Sequence, residues 1–256
     1  MPPAQPLVDV PGAPPRLFAL VPCAGVGERA GEALPKQYAM LGDRCVVAHT
    51  LNALSRVRRL AATLVVLAPA DTWFEESCKD FAGWVAHCGG VTRAASVRRG
   101  LDELSRRGAA DSDWVLVHDA ARCLLRPHWV DRLIDACTGD PVGGLLALPL
   151  VDTLKEASQG RVARTLPRAD KWVAQTPQMF RLGLLRESLA RAGADATDEA
   201  SAIEAAGYSP KLVCGALDNF KVTWPEDVEL ARRLLGGSDA GASGANCAAV
   251  EPEDKG

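Results

Sequence analysis

A glycine-rich loop directly after an apolar segment is the strongest single clue to how this chain folds. Residues 17–21 are apolar, and the loop that follows carries three glycines and two cations, namely Gly25, Gly27, Arg29, Gly31 and Lys36. Glycines let backbone N–H groups approach an anion closely, so a loop that leaves a buried strand can hold a phosphate. A turn that needs only flexible residues does not need the two cations. The pattern therefore predicts a β-strand followed by a phosphate-binding loop.

Apolar strand patterns alternate with helical patterns along the chain. The strand patterns lie at 17–22, 62–68, 84–88, 114–118 and 144–149, and the helical ones at 46–56, 94–107 and 127–137. Continuous apolar runs are typical of strands that are buried on both faces. We therefore predict an α/β fold with a Rossmann-like, doubly wound, mostly parallel sheet. Ligands bind beyond the carboxyl ends of such strands, where the glycine loop, Gly89-Gly90 and His118-Asp119 are all expected.

The segment at about 150–172 interrupts this alternation. Two short strand patterns flank a turn at residues 158–160, which predicts a β-hairpin arm that projects from the sheet and acts as a lid or a dimerisation element. Beyond the arm, helices are predicted at 177–192, 199–206 and 225–235, with a short strand at 211–213. A capping box is expected to open the last helix, from Thr223 to Glu226.

The two ends of the chain have a different composition from the middle. Residues 1–16 are rich in proline and residues 236–256 are rich in small residues, and neither segment has a period that would bury an apolar face. We predict a disordered leader, a single domain at 17–235 and a disordered tail. The start lacks the features of a signal peptide, and no apolar run approaches about 18 residues. A cytoplasmic protein without a membrane span is therefore expected.

Charge and cysteine usage exclude some classes of protein. A net charge of −3 gives no basic excess to replace the counterions of a nucleic acid, so no nucleic-acid partner is expected. The eight cysteines contain no C-x-x-C pair. Without a secretory signal, this pattern predicts buried reduced thiols rather than disulfides or a zinc site.

The glycine loop also fits the dinucleotide-binding pattern G-x-G-x-x-A at residues 25–30. That pattern requires an acidic residue about 20 residues later, at the end of the second strand. The second strand pattern ends at Ala68 and the next carboxylate is Asp71, which is much too far away. An NAD(P)-dependent dehydrogenase is therefore a distant alternative.

Six motifs follow one another along residues 17–235. They are PCAGVGER (22–29) with PKQY (35–38), GG (89–90) with Arg93 and Ser96, VHDAAR (117–122), TPQMF (176–180), TDEAS (197–201) and DNFKVT (218–223). In this order they resemble the 2-C-methyl-D-erythritol 4-phosphate cytidylyltransferases of the non-mevalonate isoprenoid pathway. The resemblance implies a nucleotidyltransferase-type fold. It also implies attack by a phosphate oxygen of methylerythritol phosphate on the α-phosphorus of CTP, with release of pyrophosphate.

The resemblance assigns roles to individual residues. The catalytic residues are Arg29 and Lys36, which stabilise the transition state, and Arg168 and Lys221, which position the attacking phosphate. The nucleotide is bound by Cys23, Ala24, Gly25, Gly27, Gly90, Val91, Arg93 and Ser96. The acceptor is surrounded by Asp119, Arg122, Thr153 and Thr197. Both reactants are polyanions, so cations must offset their repulsion and the additional charge of the transition state.

The resemblance further implies Mg²⁺ and a homodimer. The metal is expected to be held mainly through the CTP phosphates, with no dedicated protein ligands. The arm is expected to come from the neighbouring subunit, so that Arg168 acts across the dimer interface. Thr197 is at the same time a candidate N-cap for a helix that begins near Asp198.

Some positions depart from the family pattern. Val91 stands where the family usually has Asp, Ala95 replaces a commonly acidic residue, and Cys123 and Trp224 stand where Pro and Arg are more usual. An unpaired base amine would cost about 1–3 kcal/mol, so either backbone or water replaces the missing acceptor, or selectivity for CTP is relaxed.

Two further readings stay open beside this one. A ribitol-5-phosphate cytidylyltransferase shares much of the scaffold, although Arg168 and the TDEAS string favour methylerythritol phosphate. A non-catalytic nucleotide-binding regulator would be expected to have lost its charged site residues, which are retained here.

Overall fold

A seven-stranded β-sheet forms the centre of the structure, a computed structural model that describes residues 14–25, 34–193 and 196–236. The strands along the chain are β1 (Leu17–Cys23), β2 (Met40–Leu41), β3 (Arg44–Cys45), β4 (Ala62–Leu67), β5 (Trp84–Ala86), β6 (Trp114–Val117), β7 (Gly143–Pro149), β8 (Leu154–Ser158), β9 (Arg161–Leu166), β10 (Trp172–Arg181) and β11 (Lys211–Cys214). The large sheet has the order β11-β7-β10-β6-β1-β4-β5, while β2 pairs with β3 and β8 with β9.

The order of the strands places the loops after β1 and β6 side by side. The chain runs from β1 outward to β4 and β5 and then returns to β6 on the other side of β1, and these pairings are parallel. Strand β10 is antiparallel to both of its neighbours, β6 and β7. The expected mostly parallel α/β sheet is thus confirmed. In sheets of this kind ligands bind in the crevice beside a reversal of strand order, and here the reversal lies next to β1, at the carboxyl ends of β1 and β6.

Helices cover both faces of this sheet. They are α1 (Val46–Ser55), α2 (Phe74–Ser77), α3 (Arg93–Arg106), α4 (Pro127–Cys137), α5 (Leu182–Ala192), α6 (Glu199–Ala205) and α7 (Pro225–Gly236), with a 3-10 turn at Lys36–Tyr38. One apolar core joins α1 and α4 to the sheet, and a second joins α3, α5 and α6 to its other face. Burial on both faces explains why strand segments such as β4 read as continuous apolar runs.

The predicted helix at 177–192 is wrong in its first part. Residues 177–181 belong to β10, and the helix begins at Leu182. Met179 and Phe180 are fully buried and have neighbours on both sides, because β10 pairs with β6 and β7. A short apolar run fits a helix or a buried strand equally well, and here distant pairing decides for the strand.

The predicted arm is a β-hairpin of β8 and β9. Its turn contains Gln159 and Gly160 at positive φ values of 52° and 75°, where glycine carries no steric penalty. Every residue of 151–174 is exposed except Leu154 and Leu166, which are half-buried. Neither face of the hairpin is therefore covered by the rest of the described chain.

The ends of the domain differ in detail from the expected ones. Arg16, expected in the leader, donates from its backbone N and its side chain to the buried Asp113, at 2.8 Å and 2.6 Å. Gly236, expected in the tail, is the last residue of α7. The rest of the predicted leader and tail, residues 1–13 and 237–256, lies outside the described residues.

Two further expectations are corrected. At the start of α7, the backbone N–H groups of Thr223 and Trp224 both donate to Asp227 Oδ2, at 2.8 Å each, so Asp227 and not Glu226 supplies the cap. Six cysteines are free thiols as expected, whereas Cys214 is disulfide-bonded. None of the helices with described positions has the length and apolar character needed to cross a bilayer.

Candidate active site

The loop after β1 begins at the crevice. Cys23 is buried at the end of β1, and the Gln37 side chain donates to the carbonyl oxygen of Gly25 at 2.8 Å. This bond ties the start of the glycine loop to the 3-10 turn Lys36–Tyr38. Gly27 and Arg29, which the sequence places in the phosphate-binding part of the loop, lie outside the described residues.

Lys36 lies between the glycine loop and the start of α7. Its ammonium donates to the carbonyl oxygen of Thr223. The 3-10 turn that carries Lys36 is anchored by Tyr38, because the hydroxyl of this buried residue donates a hydrogen bond to Asp71 Oδ2 at 2.7 Å. The structure therefore brings Lys36 to the same edge of the sheet as the DNFKVT segment, although 187 residues separate Lys36 from Thr223.

Gly90 and Ser96 form a compact unit at the start of α3. The Gly90 N–H donates to Ser96 Oγ at 3.0 Å, and Ser96 Oγ donates to the carbonyl oxygen of Thr92, also at 3.0 Å. A side chain at Gly90 would bring its Cβ to 2.5 Å from Ala95 Cβ, so only glycine fits this approach. The unit joins the β1 loop through Gly89, where a Cβ would lie 2.3 Å from that of Ala24.

Val91 is fully exposed beside this unit. Its side chain offers no acceptor to a base. The Thr92 side chain is occupied locally, since Thr92 Oγ1 accepts from the Ala95 N–H at 3.1 Å and caps α3. The structure thus places Gly90, Val91 and Ser96 together near the β1 loop, as expected from the sequence.

Asp119, directly after β6, is the centre of a cluster of cations. Its Oδ1 lies 2.7 Å from Arg93 Nε, and its Oδ2 lies 3.0 Å from Lys221 Nζ and 3.8 Å from Arg122 Nε. Burial alone would raise the pKa of Asp119, but Arg93 and Lys221 oppose burial so strongly that the pKa lies well below its usual range. Asp119 is therefore an ionised anchor that gathers three cations at one point.

All three nitrogens of the Arg93 guanidinium donate to carboxylate oxygens. Besides Nε on Asp119, its Nη1 and Nη2 donate to Glu199 Oε1 and Oε2 at 2.7 Å and 2.9 Å. The expected contact of Arg93 with the nucleotide stays a prediction.

Glu199 is a functional candidate that the sequence reasoning did not single out. It is fully buried at the start of α6, where burial raises the pKa of its carboxyl and Arg93 opposes this shift. Its position in the TDEAS motif, at the first residue of a helix, is the sequence signal that could have identified Glu199 as a candidate.

Arg122 and His118 belong to a rigid support behind Asp119. Arg122 Nη1 donates to the carbonyl oxygen of Asn219 at 2.6 Å, and His118 lies within 3.0 Å of Thr176 Oγ1 and 3.2 Å of the Arg122 carbonyl oxygen. His118 is fully buried, and burial lowers its pKa to about 4. The imidazole is therefore neutral at physiological pH and acts as a structural hydrogen-bonding group.

Thr197 lies before α6 but does not cap it. The N-cap is Asp198, which accepts from the Ser201 N–H at 2.9 Å, while the Ser201 hydroxyl lies 3.3 Å from Thr197 Oγ1. Gln178 of β10 fixes this segment, because its side chain donates to Asp198 Oδ2 at 2.8 Å and accepts from the Ala200 N–H at 2.7 Å. This glutamine was also missed by the sequence reasoning.

Thr153 and Arg168 lie on the exposed arm. Arg168 donates to the carbonyl oxygen of Val151, within the arm itself. Among the described contacts, neither residue joins the cluster around Asp119. The structure of the chain therefore brings together Lys36, Asp119, Arg122 and Lys221 but leaves the two arm residues apart.

The described side chains do not fit a metal held by the protein. Within these parts of the chain, no group of three or more His, Cys, Asp or Glu side chains is arranged around a common point. Both oxygens of Asp119 already face cations. Among the described residues a metal at this site would find no ready-made cluster of ligands, so it would take most of its ligands from the substrate.

Comparison with known proteins agrees with this geometry. The model of the family "IspD: 2-C-methyl-D-erythritol 4-phosphate cytidylyltransferase" matches residues 17–236. The bifunctional enzyme IspD/IspF of Albidiferax ferrireducens is 58% identical over 238 residues, which are 93% of this chain and 57% of that protein. The 2-C-methyl-D-erythritol 4-phosphate cytidylyltransferase of Burkholderia multivorans is 53% identical over 229 residues, which cover 86% of this chain and 96% of that protein.

Solved structures give the same result. A crystal structure described as 4-diphosphocytidyl-2C-methyl-D-erythritol synthase aligns with a TM-score of 0.78 at 41% identity, covering 86% of this chain and 98% of that one. The 2-C-methyl-D-erythritol 4-phosphate cytidylyltransferase from Thermus thermophilus aligns with a TM-score of 0.71 at 34% identity, covering 86% and 98%. From its fold, its cluster of cations and these matches, the chain belongs to the 2-C-methyl-D-erythritol 4-phosphate cytidylyltransferase family.

Proposed function

We propose that this chain transfers the cytidylyl group of CTP to 2-C-methyl-D-erythritol 4-phosphate, giving 4-diphosphocytidyl-2-C-methyl-D-erythritol and pyrophosphate for isoprenoid synthesis. The observation that carries the proposal is the convergence of Lys36 and Lys221 on the crevice beyond β1 and β6, with Lys221 held by the buried Asp119. Membership of the family supplies the substrate pair.

The reaction needs charge stabilisation more than proton transfer. A phosphate monoester has a second pKa of about 6, so the attacking oxygen is largely ionised at neutral pH without a general base. The two ionisable side chains at the end of β6 suit this, because Asp119 is ion-paired and His118 is buried and neutral. Lys36, Lys221 and Arg29 would offset the repulsion between the two polyanions and stabilise the extra charge at the α-phosphorus.

Lys221 is well placed to hold the attacking phosphate. Its side chain is 46% exposed while its partner Asp119 is buried. An ammonium has three donors, and Asp119 takes one of them. The remaining donors are available to the acceptor, whose phosphate would lie between Lys221 and the nucleotide held by the β1 loop.

The nucleotide would lie against the unit formed by Gly90 and Ser96. The backbone of Cys23, Ala24 and Gly90 would face the base, and the carbonyl oxygens there would substitute for the acceptor that Val91 lacks. Mg²⁺ would enter with the triphosphate and neutralise its charge. No step of the proposal depends on a protein ligand to that metal.

The arm would complete the site of a second subunit in a homodimer. Val162 on β9 is 64% exposed, and Val173 at the start of β10, beside the arm, is 50% exposed, an arrangement that favours a covering surface from another copy. Arg168 and Thr153, which have no described contact with Asp119 in their own subunit, would then reach the acceptor of the neighbour. Such a cytidylyltransferase would act in the cytoplasm.

A pyrophosphate-release assay tests the proposal. The purified protein is given CTP, Mg²⁺ and, in separate reactions, methylerythritol phosphate or ribitol 5-phosphate. Turnover with methylerythritol phosphate is expected, with loss of activity in EDTA and recovery on added Mg²⁺. Turnover with ribitol 5-phosphate alone would assign the other acceptor, and tight NAD(H) binding without pyrophosphate release would support the dehydrogenase.

A further inference from the structure

An ion pair between the fully buried Glu199 and Arg93, whose side chain is 26% exposed, lies next to the cluster at Asp119. The Glu199 side chain has no exposed surface, and both of its oxygens accept from Arg93, at 2.7 Å and 2.9 Å. Replacing a buried ion pair by apolar residues of similar size is often neutral or stabilising. Stability alone therefore gives a weak reason for a charged pair at this position.

The pair fixes the orientation of Arg93. A bidentate contact between a guanidinium and a carboxylate defines a plane, and Glu199 is itself held because α6 is tied to β10 through Gln178. The third nitrogen of the guanidinium, Arg93 Nε, then points at Asp119 Oδ1 at 2.7 Å. Arg93 is thus a bridge between two carboxylates on different elements, α6 and the loop after β6.

The bridge determines which oxygen of Asp119 meets Lys221. With Oδ1 occupied by Arg93, Oδ2 faces Lys221 at 3.0 Å. If Arg93 were released, the Asp119 side chain could rotate and Lys221 would lose its fixed partner. Arg93 also stands at the first position of α3, the helix that carries Ser96, so the bridge connects the nucleotide side of the crevice with the acceptor side.

We infer that Glu199 and Arg93 are positioning residues that hold Lys221 in place through Asp119. In this arrangement neither needs to touch a reactant. The inference rests on the proposed reaction for its kinetic consequence. It assigns Arg93 a task different from the contact with CTP that the family resemblance implies, and the two tasks have different kinetic signatures.

The principal test compares Glu199→Gln with Glu204→Gln, a matched change at an exposed position of the same helix. Glu199→Gln is expected to lower kcat about 10- to 100-fold, the scale of loss for a misplaced catalytic group. The KM for CTP should stay within about twofold of the wild-type value, because the contacts that bind CTP equally in the ground state and the transition state are unaffected. Glu204→Gln should match the wild type. A Glu199→Gln variant with wild-type kcat would overturn the inference.

A double-variant cycle separates positioning from a general structural role. If Glu199 acts through Lys221, adding Glu199→Gln to Lys221→Ala should cost little more than Lys221→Ala alone. Losses that multiply in full would overturn the inference. Arg93→Lys serves as the second variant if Glu199→Gln fails to fold, because one ammonium cannot replace the three-point bridge. A weaker calorimetric affinity of Arg93→Lys for CTP with an unchanged kcat would show a nucleotide contact instead.

A readout that is independent of turnover keeps this test distinct from that of the proposed function. A crystal structure of Glu199→Gln should show Lys221 Nζ displaced from Asp119 Oδ2, and an unchanged ion pair would reject the positioning role whatever the enzyme transfers. Absence of wild-type turnover with CTP and methylerythritol phosphate would instead reject the proposed reaction.

Discussion

The Nζ atom of Lys221 lies 3.0 Å from Oδ2 of Asp119, and the lysine is half exposed while the carboxylate is buried. The Asp119 carboxylate is therefore held inside the protein, whereas the Lys221 ammonium remains accessible to a ligand. Asp119 lies just after β6 and Lys221 lies in the loop between β11 and α7, and the two segments are joined where the Val222 N–H donates to the carbonyl oxygen of Ala121 at 2.8 Å. An anion that enters the crevice meets a cation whose place is already determined, which reduces the cost of ordering it.

Lys36 should be essential for turnover and dispensable for folding. We expect Lys36→Ala to lower kcat by about 10²–10³-fold, the effect of removing one donor to developing charge. Its ammonium contacts the carbonyl oxygen of Thr223 at the surface, so the thermal midpoint should change little. Lys79→Ala, at another exposed lysine, is the matched control. Steady-state pyrophosphate release measures both, and an unchanged kcat would remove Lys36 from the mechanism.

Arg168 should act on the site of the other subunit. Lys36→Ala and Arg168→Ala are each expected to be nearly inactive as homodimers. When the two are co-expressed with different tags and the heterodimer is isolated, one site contains an intact Lys36 and an intact Arg168. Activity is therefore expected to return in the heterodimer. A heterodimer as inactive as its parents would place both residues in a single chain.

An acceptor introduced at position 91 should add to the base selectivity that the backbone provides. Because its side chain is fully exposed, Val91→Asp should fold like the wild type. The new carboxylate could accept from the amine of cytosine and would repel the carbonyl oxygen of uracil. A hydrogen bond of this kind is worth about 1–3 kcal/mol, so the ratio of kcat/KM for CTP to that for UTP should rise by at least about fivefold. An unchanged ratio would mean that the backbone alone reads the base.

His118 should make the protein less stable as the pH falls. Burial lowers the pKa of His118 from 6.5 to about 4, so between these values the unfolded chain binds a proton that the folded chain does not. The free energy of unfolding is therefore highest above pH 6.5 and falls on acidification towards pH 4. For a pKa shift of this size the loss is about 3 kcal/mol. Urea unfolding of His118→Gln should show a smaller loss over this window. Equal losses in both proteins would assign the effect to other groups.

The sequence carries the architecture but not the details of the site. Residues in β1, β4 and β6 are buried on both faces, so their apolar runs could be read directly as parallel strands, and the rule for ligand position then placed the glycine loop beside Asp119. Strand β10 could not be read in this way, because its first residues are exposed at the base of the arm and its second half is fixed by pairing with β6 and β7.

The ion-pair network was outside the reach of sequence reasoning for a physical reason. Arg93 and Glu199 are 106 residues apart, and a lone Arg or Glu in a motif is normally a solvated surface charge. Their pairing follows from the packing of α3 and α6 on the same face of the sheet. Local propensity contains no information about that contact.

Strand β10 connects the arm directly to the residues behind the site. It begins at Trp172 at the base of the exposed hairpin, continues through Thr176, which contacts His118, and reaches Gln178, which ties down the start of α6. The strand pairs with β7 at Trp172–Ala174 and again at Gln178–Phe180, but with β6 only from Gln178 onward, and its register shifts between the two parts. A partner that binds the hairpin therefore acts on the same strand that carries Thr176 and Gln178, so docking of the arm and the arrangement behind Asp119 share one continuous element.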